Sequence, residues 1–221
     1  TYTGGTVIHE GQLKIGANNT LTTTGAVSFA GSKPTANLWI NSGVEQTIGN
    51  LTGVNPNSVI NTVGTLIVTQ SNAGNYAGKI FGHSGTFKKA GSAALTISNP
   101  QAYRGLVEIN AGTLTIGADS SFQNTVTLAN TAGAILNIDG NTVQIVGLTG
   151  GGTDGGNVTL GSGVIRVGYA DSTYAGVISG SGSVEKKGAF QTTLTGANTY
   201  TGGTVIHEGQ LKIGANNTLT T

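Results

Sequence analysis

Side chains that could carry out hydrolysis or elimination are few and scattered in this sequence. Its 221 residues include nine Asp and Glu, no two of them within three positions of each other, and two arginines, Arg104 and Arg166. Polysaccharide hydrolases use a pair of carboxylates, and lyases use carboxylates that hold Ca²⁺ beside a proton-abstracting base. The chain shows neither pattern, so we predict no catalytic residue and no cofactor. Because folding can bring distant acids together, a polysaccharide-acting enzyme remains the second alternative.

The three histidines are the first candidates for metal ligands. His9 and His207 occupy the same position of two identical segments, and a third, divergent copy has Asn110 there. We therefore interpret both as polar turn residues. His83 lies in a one-residue insertion between two otherwise similar segments and is expected on an exposed loop.

A glycine-rich run, GGGTDGGN at 150–157, resembles a calcium-binding loop. A calcium β-roll repeats its glycine-aspartate unit so that successive turns share each ion, whereas this run occurs once. We expect a plain turn with Asp154 in solvent. Cysteine is absent, which excludes disulfides and thiolate metal sites. The sequence therefore predicts no metal site.

Composition favours strands and turns over helices. Glycine occurs 38 times and proline 3 times, while charged residues make up 9% of the chain. Exposed helix faces need far more charge than this. With 37% hydrophobic residues and a net charge of +1, the chain can still bury a core. Basic pairs occur at 88–89 and 186–187, which is too little positive charge to predict a nucleic-acid partner.

Internal repeats dominate the organisation of the chain. Residues 1–23 return unchanged as 199–221, at an offset of 198, and a divergent copy occupies 102–124. We predict that 1–221 is a single continuous segment and that 1–198 is one tandem period made of two half-units of roughly 100 residues. Residues 199–221 would open the next period.

The two half-units indicate which side chains point inward. Leu13 and Ile15 recur as Leu114 and Ile116, while the residue between them changes from Lys14 to Thr115. That is the period of two expected for a strand with one face in solvent. The predicted core stack consists of Ile8, Leu13, Ile15, Ile109, Leu114, Ile116, Ile206, Leu211 and Ile213.

Short alternating strands bounded by Gly, Asn and Asp run along the whole chain, and two all-β architectures compete. An immunoglobulin-like sandwich suits the half-unit length. The turns, however, lack the Pro and Asp-Gly chemistry of antiparallel hairpins. Stacked coils that bury a shared core explain short, glycine-bounded strands better. We therefore predict a parallel β-helix, or β-solenoid, with about 9–11 coils of about 20–25 residues.

Three consecutive segments carry a family resemblance. GVISGSGSVEKKG at 176–188, LTGANTYTGGT at 194–204 and IHEGQLKIG at 206–214 follow one another in order. They resemble the autotransporter-associated β-strand repeat of Gram-negative passenger domains. The earlier copy departs from this pattern with SNPQAYRGLV at 98–107, yet retains INAGTLTIG after it. The resemblance implies a right-handed parallel β-helix outside the cell, exported through an outer-membrane anchor that is expected in the parent protein and absent from this sequence.

Aromatic residues supply the candidate contact surface: Trp39, Tyr103 and Tyr200. The two tyrosines recur at one point of the repeat together with Tyr2, and we favour a role at a coil corner over stacking on carbohydrate. Trp39 aligns with Asn137 of the second half-unit, so we expect it to be exposed and rank it first.

These features predict an extracellular or surface-anchored rod that acts as an adhesin or aggregation scaffold. The expected partners are a host or sister-cell surface, with glycans among the ligands, and like repeats through self-association. The first alternative is a self-assembling fibre or matrix component joined end to end, because open solenoid ends are unpaired strand edges.

Overall fold

A computed structural model describes residues 4–31 and 36–214, and the chain is a parallel β-solenoid of about 10 turns. The described residues contain 25 strands and no helix. Accordingly, no described helix is long and apolar enough to cross a membrane. Every coil crosses up to three flat faces, and each strand pairs in parallel with at least one strand of a neighbouring coil. The all-β prediction and the predicted number of coils are confirmed.

Face one is a single nine-stranded sheet. Its strands are β1 (Thr6–Ile8), β3 (Val27–Phe29), β6 (Leu51–Gly53), β9 (Gly74–Tyr76), β12 (Leu95–Ile97), β14 (Thr113–Ile116), β16 (Ile135–Asn137), β18 (Asn157–Thr159) and β21 (Ile178–Ser179).

Face two begins as a four-stranded sheet, and two long strands that bend round a corner continue it. Its strands are β2 (Gln12–Ile15), β4 (Asn37–Ile40), β7 (Val59–Thr62), β10 (Lys79–Phe81), the first halves of β15 (Ser120–Leu128) and β17 (Thr142–Gly150), β19 (Val164–Val167), β22 (Ser183–Lys186) and β24 (Thr204–Ile206).

Face three completes the coil. Its strands are β5 (Glu45–Ile48), β8 (Thr65–Thr69), β11 (Thr86–Ala90), β13 (Leu106–Ile109), the second halves of β15 and β17, β20 (Ser172–Tyr174), β23 (Gln191–Leu194) and β25 (Gln210–Ile213).

One coil crosses face two without a strand, and a glutamine fills the gap. Between β10 and β15, the Gln101 Oε1 atom accepts a hydrogen bond of 2.8 Å from the Ile80 amide. The Gln101 carbonyl in turn accepts from the Ser121 amide at 2.8 Å. Side chain and backbone of one residue therefore continue the ladder across a coil that has no strand there.

Inward side chains form rows along the rod because equivalent strand positions stack coil on coil. On face one, a single row passes through the paired strands β12, β14, β16, β18 and β21. All its members are 2% exposed or less: Leu95, Leu114, Leu136, Val158 and Ile178. Such rows make one continuous core in which each coil covers its neighbour.

Most of the predicted core stack lies in these rows. The buried members are Ile8, Ile15, Ile109, Leu114 and Ile116, and those packed against the core while partly buried are Leu13, Leu211 and Ile213. Ile206 is a correction, because its side chain is 55% exposed. It stacks on Lys186 in the last described crossing of face two, and no described coil covers its other side.

Equivalent segments of the repeat occupy different faces. β1 and β24 have the same sequence, yet β1 lies on face one and β24 on face two. Equivalent strands of the two half-units also lie on different faces. Lys89 of β11 aligns with Lys186 of β22, yet β11 lies on face three and β22 on face two. The strand pairings show how far the chain winds between these two strands. From β11 to β22 it completes four full coils and then crosses two more faces. A half-unit is therefore not a whole number of coils.

Lys89 points into the core. It is fully buried, and its Nζ donates hydrogen bonds to the carbonyl oxygens of Ala90 and Gly91 at 2.9 Å and of Ala111 at 3.0 Å. Burial lowers the pKa of Lys89 from 10.5 to about 8. At neutral pH the amine thus keeps the proton that it needs to donate all three bonds. The ammonium group joins turns of two successive coils.

Lys186 repeats this arrangement in the second half-unit. It is also fully buried, and its Nζ donates to the carbonyls of Lys187 at 2.8 Å, Gly188 at 2.6 Å and Glu208 at 3.1 Å. Burial lowers the pKa of Lys186, while the charge of Glu208 opposes this effect. Each half-unit therefore holds one of its two paired lysines inside the solenoid.

Four tyrosines close corners of the coil and are 2% exposed or less: Tyr76, Tyr103, Tyr174 and Tyr200. This corrects the candidate contact surface, because two of its three members cannot reach a partner from the core. Their recurrence reflects corner packing, and Tyr2 lies outside the described residues.

The sequence Tyr-x-Gly recurs at these corners for a steric reason. The Tyr103 hydroxyl lies 2.6 Å from the Thr62 hydroxyl and donates to the Gly85 carbonyl at 3.2 Å. Burial raises the pKa of Tyr103 to about 12. A Cβ atom on Gly105 would collide with this hydroxyl and with the Gly85 carbonyl. The glycine two residues after the tyrosine therefore leaves room for the ring to fold back over the chain.

The neighbouring lysines of β11 allow a paired stability test. Lys89→Met leaves three turn carbonyls without their donor, so we expect it to lower the free energy of unfolding by about 3 kcal/mol. Lys88 faces outward and pairs with Glu108 at 3.1 Å, so Lys88→Met should cost less than about 1 kcal/mol. Urea unfolding followed by circular dichroism measures both. Equal losses would contradict the inward placement of Lys89.

A second pair of substitutions tests the corner packing. Gly105→Ala should destabilise the fold by about 2 kcal/mol, since the added methyl displaces the Tyr103 ring. Gly16→Ala is the matched control, because the nearest atom to its Cβ would be Asn41 Nδ2 at 3.8 Å. We expect the control to change stability by no more than about 0.5 kcal/mol. If thermal unfolding shows the two variants to be equally stable, Gly105 does not serve the corner tyrosine.

Candidate functional site

The outer surface of face two carries the candidate site. Side chains of β2, β4, β7 and β10 alternate between core and solvent, and the strands pair in register. Two outward rows therefore run along the rod. We call these eight residues the Trp39 strip: Gln12, Asn37, Val59 and Lys79 in one row, and Lys14, Trp39, Asn61 and Phe81 in the other.

Two aromatic rings mark the second row. Trp39 is half-buried, Phe81 is 46% exposed, and Asn61 lies between them in the register. Because neighbouring strands lie about 4.8 Å apart, the two aromatic positions are separated by roughly 10 Å along the rod. His83 packs edge-on against Phe81, with ring centroids 5.2 Å apart, and limits the orientations of that ring. The strip thus offers two anchored aromatic surfaces with an amide between them.

Charge on the strip has one sign. Lys14 and Lys79 are exposed at its two ends, and none of its eight members is acidic. Arg104 is exposed one coil further on, where its amide donates to the Gly82 carbonyl at 3.2 Å. Glu10 is exposed in the turn before β2 and is the nearest acid along the chain. The Trp39 strip is therefore a basic surface that carries aromatic and amide groups.

One amide of the strip has unused hydrogen-bonding capacity. The Oδ1 atom of Asn61 is enclosed and accepts no hydrogen bond in the described structure. A buried acceptor without a donor costs free energy, and such atoms in native proteins call for an explanation. Because the atom is enclosed, a ligand on the outer surface could reach it only after the Asn61 side chain rotates.

The strip exists in the first half-unit alone. The aligned residues of the second half-unit are Thr115 for Lys14, Asn137 for Trp39, and Val177 and Ser179 for Lys79 and Phe81. The sequence predicted an exposed Trp39, whereas the structure has it half-buried, and sequence reasoning did not single out Lys79, Asn61 or Phe81. The available signal was the divergence itself, since outward positions that differ between half-units are not needed for the fold.

A second polar cluster lies further along face two. The Glu185 carboxylate is 2.9 Å from Arg166 Nε, 3.4 Å from Lys187 Nζ and 3.7 Å from His207 Nε2. The hydrogen bond from Arg166 is the main reason that the pKa of Glu185 is lowered. The residues come from adjacent coils, and the single carboxylate is shared by Arg166, Lys187 and His207. This cluster ties coils together and leaves no free carboxylate for acid-base chemistry.

The candidate metal ligands stay apart. His9 and His83 are exposed, and Asp154 is exposed while its Oδ2 accepts a hydrogen bond from the Asn130 amide at 3.3 Å. Within residues 4–31 and 36–214, no three His, Cys, Asp or Glu side chains come together in a way that could hold a metal ion.

Comparisons with known proteins agree with this architecture. The model of the passenger-associated-transport-repeat family matches residues 1–15, 87–116 and 184–213, which include both buried lysines. Over 227 aligned residues the chain is 33% identical to the adhesin BmaC autotransporter of Brucella suis biovar 1 (strain 1330). The alignment covers 96% of this chain and 7% of that relative. No solved structure matches the chain. The chain belongs to the autotransporter passenger repeat proteins.

Proposed function

We propose that the chain is a segment of an adhesive rod on the cell surface, which holds to host or sister cells through many weak contacts. The observation that carries this proposal is the similarity to an autotransporter adhesin along 96% of the chain. A passenger repeat of this kind is expected outside the cell. Its role is adhesive and not enzymatic, in line with the name of the relative and with the repeat family.

Stiffness supports the role of a rod. The core rows run through the described chain without a break, and buried side chains such as that of Lys89 connect successive coils. The 198-residue period spans nine coils and one further face, which at about 4.8 Å per coil corresponds to about 45 Å. Tandem periods would extend the rod without a flexible linker. Each copy would then present its contact surface at a fixed distance from the next.

Weak contacts suffice when such copies are joined. Linking binding units turns each later contact into an intramolecular step, which can raise the overall affinity by about 10²–10⁴. A single 198-residue period would therefore bind a cell surface weakly, and an array would bind it firmly. This dependence on copy number distinguishes an adhesive rod from an enzyme, whose activity per copy stays constant.

Retention of protein-coated beads on cells measures how binding depends on the number of joined periods. Beads are loaded so sparsely that each carries one chain, which is either one period, residues 1–198, or three periods joined in tandem. We expect both to be retained on epithelial cells and on sister bacteria, with roughly a hundredfold higher affinity for the tandem form. Beads coated with the urea-unfolded chain are the control. Retention no better than the control at any density would overturn the adhesive function.

The same preparations test the enzymatic alternative. Acidic and neutral polysaccharides are incubated with the folded chain, and their size distribution is followed by gel filtration. We expect the chain lengths of the polysaccharides to stay unchanged. Shortening that requires the folded chain would replace the proposed function with a catalytic one.

A further inference from the structure

We propose that the Trp39 strip is a binding site for an acidic polysaccharide that lies along the rod axis. This inference rests on the proposed adhesive function and names the ligand class and the residues that bind it. Trp39 and Phe81 would stack on sugar rings, Asn37 and Asn61 would bond to hydroxyl groups, and Lys14 and Lys79 would pair with carboxylates or sulfates.

Ring spacing selects a chain-like ligand. The two aromatic positions lie in one row roughly 10 Å apart, with Asn61 between them, on the flat outer side of a sheet. A sugar ring has an apolar face that packs on an aromatic ring and hydroxyl groups around its edge. A polysaccharide running along the row can place rings on Trp39 and Phe81 and a hydroxyl group beside Asn61.

A protein partner fits the strip less well. Protein interfaces have an apolar core in which large side chains are buried together. Here Asn61 separates the rings along the row, and the other row is Gln12, Asn37, Val59 and Lys79. The strip therefore lacks a continuous apolar patch. Isolated rings set among amides and cations favour a ligand that is itself polar throughout.

Charge selects the acidic class. Lys14 and Lys79 are exposed at opposite ends of the strip with no acidic member between them, and Arg104 adds a cation one coil beyond. A neutral glycan would leave these charges unused, whereas carboxylates or sulfates complement them. Single-stranded nucleic acid also combines rings with negative charge, but its binding sites need a positive groove that follows the backbone. Two lysines on a chain of net charge +1 do not supply such a groove.

Binding is measured with the 221-residue chain by biolayer interferometry on four immobilised probes. Hyaluronan carries carboxylates, heparin carries sulfates as well, dextran is neutral, and poly(dT) represents nucleic acid. We expect binding to hyaluronan, heparin or both that weakens as salt is added. The proposal is overturned if neither acidic glycan binds, if dextran binds as tightly as they do, or if poly(dT) binds more tightly.

Variants locate the site. Trp39→Ala and Phe81→Ala should each weaken binding of the acidic glycan roughly tenfold. The double variant Lys14→Gln with Lys79→Gln leaves both rings in place and should reduce the affinity and its salt dependence together. Because Trp39 is half-buried, circular dichroism and the Tm accompany every variant, and the lysine variant keeps the test valid if Trp39→Ala unfolds.

Two control residues come from elsewhere on the chain. Lys212 is the repeat copy of Lys14, but it lies on face three beside Thr193, and Phe190 is 50% exposed in a turn. Lys212→Gln and Phe190→Ala should change the affinity by less than about twofold. Losses as large as those of the strip variants would overturn the assignment of the site.

Bead retention with Trp39→Ala separates this proposal from the adhesive function. If the variant binds cells as well as the unchanged chain does, the strip is not the contact site and the adhesive function stands. If the unchanged chain binds acidic glycans but is not retained on cells, the strip is a glycan site and the adhesive function fails.

Discussion

Coil-on-coil stacking is the interaction on which the rest of this structure depends. The amides and carbonyls of most strands are satisfied by strands one coil above and one coil below, so no coil is stable alone. The same stacking aligns inward side chains into rows and outward side chains into strips. A surface such as the Trp39 strip therefore needs no loop to assemble it. It follows directly from the parallel register of β2, β4, β7 and β10.

Corners are where this stacking is hardest to maintain, and polar side chains hold them. Turn carbonyls face into the solenoid and would be left without donors, but the buried ammonium groups of Lys89 and Lys186 each bond to at least three of them. Corner tyrosines fill the space above glycines. Gln101 continues a ladder where a strand is missing. The low charge content of the chain is consistent with this design, because two of its ten Lys and Arg residues, Lys89 and Lys186, act inside the fold.

Sequence periodicity was enough to predict the strand faces, as Leu13, Lys14 and Ile15 show. It could not predict which outward residues are neighbours, because coil lengths vary: Thr6 pairs with Val27, 21 residues on, whereas Leu13 pairs with Leu38, 25 residues on. Without that register, Trp39 and Phe81 could not be placed in one row. The inward lysines were missed for a different reason, since a cation in a core row is tolerated only where carbonyls surround it, and sequence alone does not show those carbonyls.

The mismatch between repeat and coil decides how an array would present its surfaces. One 198-residue period advances the chain by nine coils and one further face, as the positions of β1 and β24 show. If the period continues in tandem, the Trp39 strip of one copy lies on face two, that of the next on face three, and that of the third on face one, about 45 Å apart along the axis. A flat rigid surface could then reach every third strip at most. A hydrated polysaccharide layer that surrounds the rod could reach all of them. Because one period is not a whole number of coils, the array therefore favours a flexible polymer around the rod over a flat surface on one side of it.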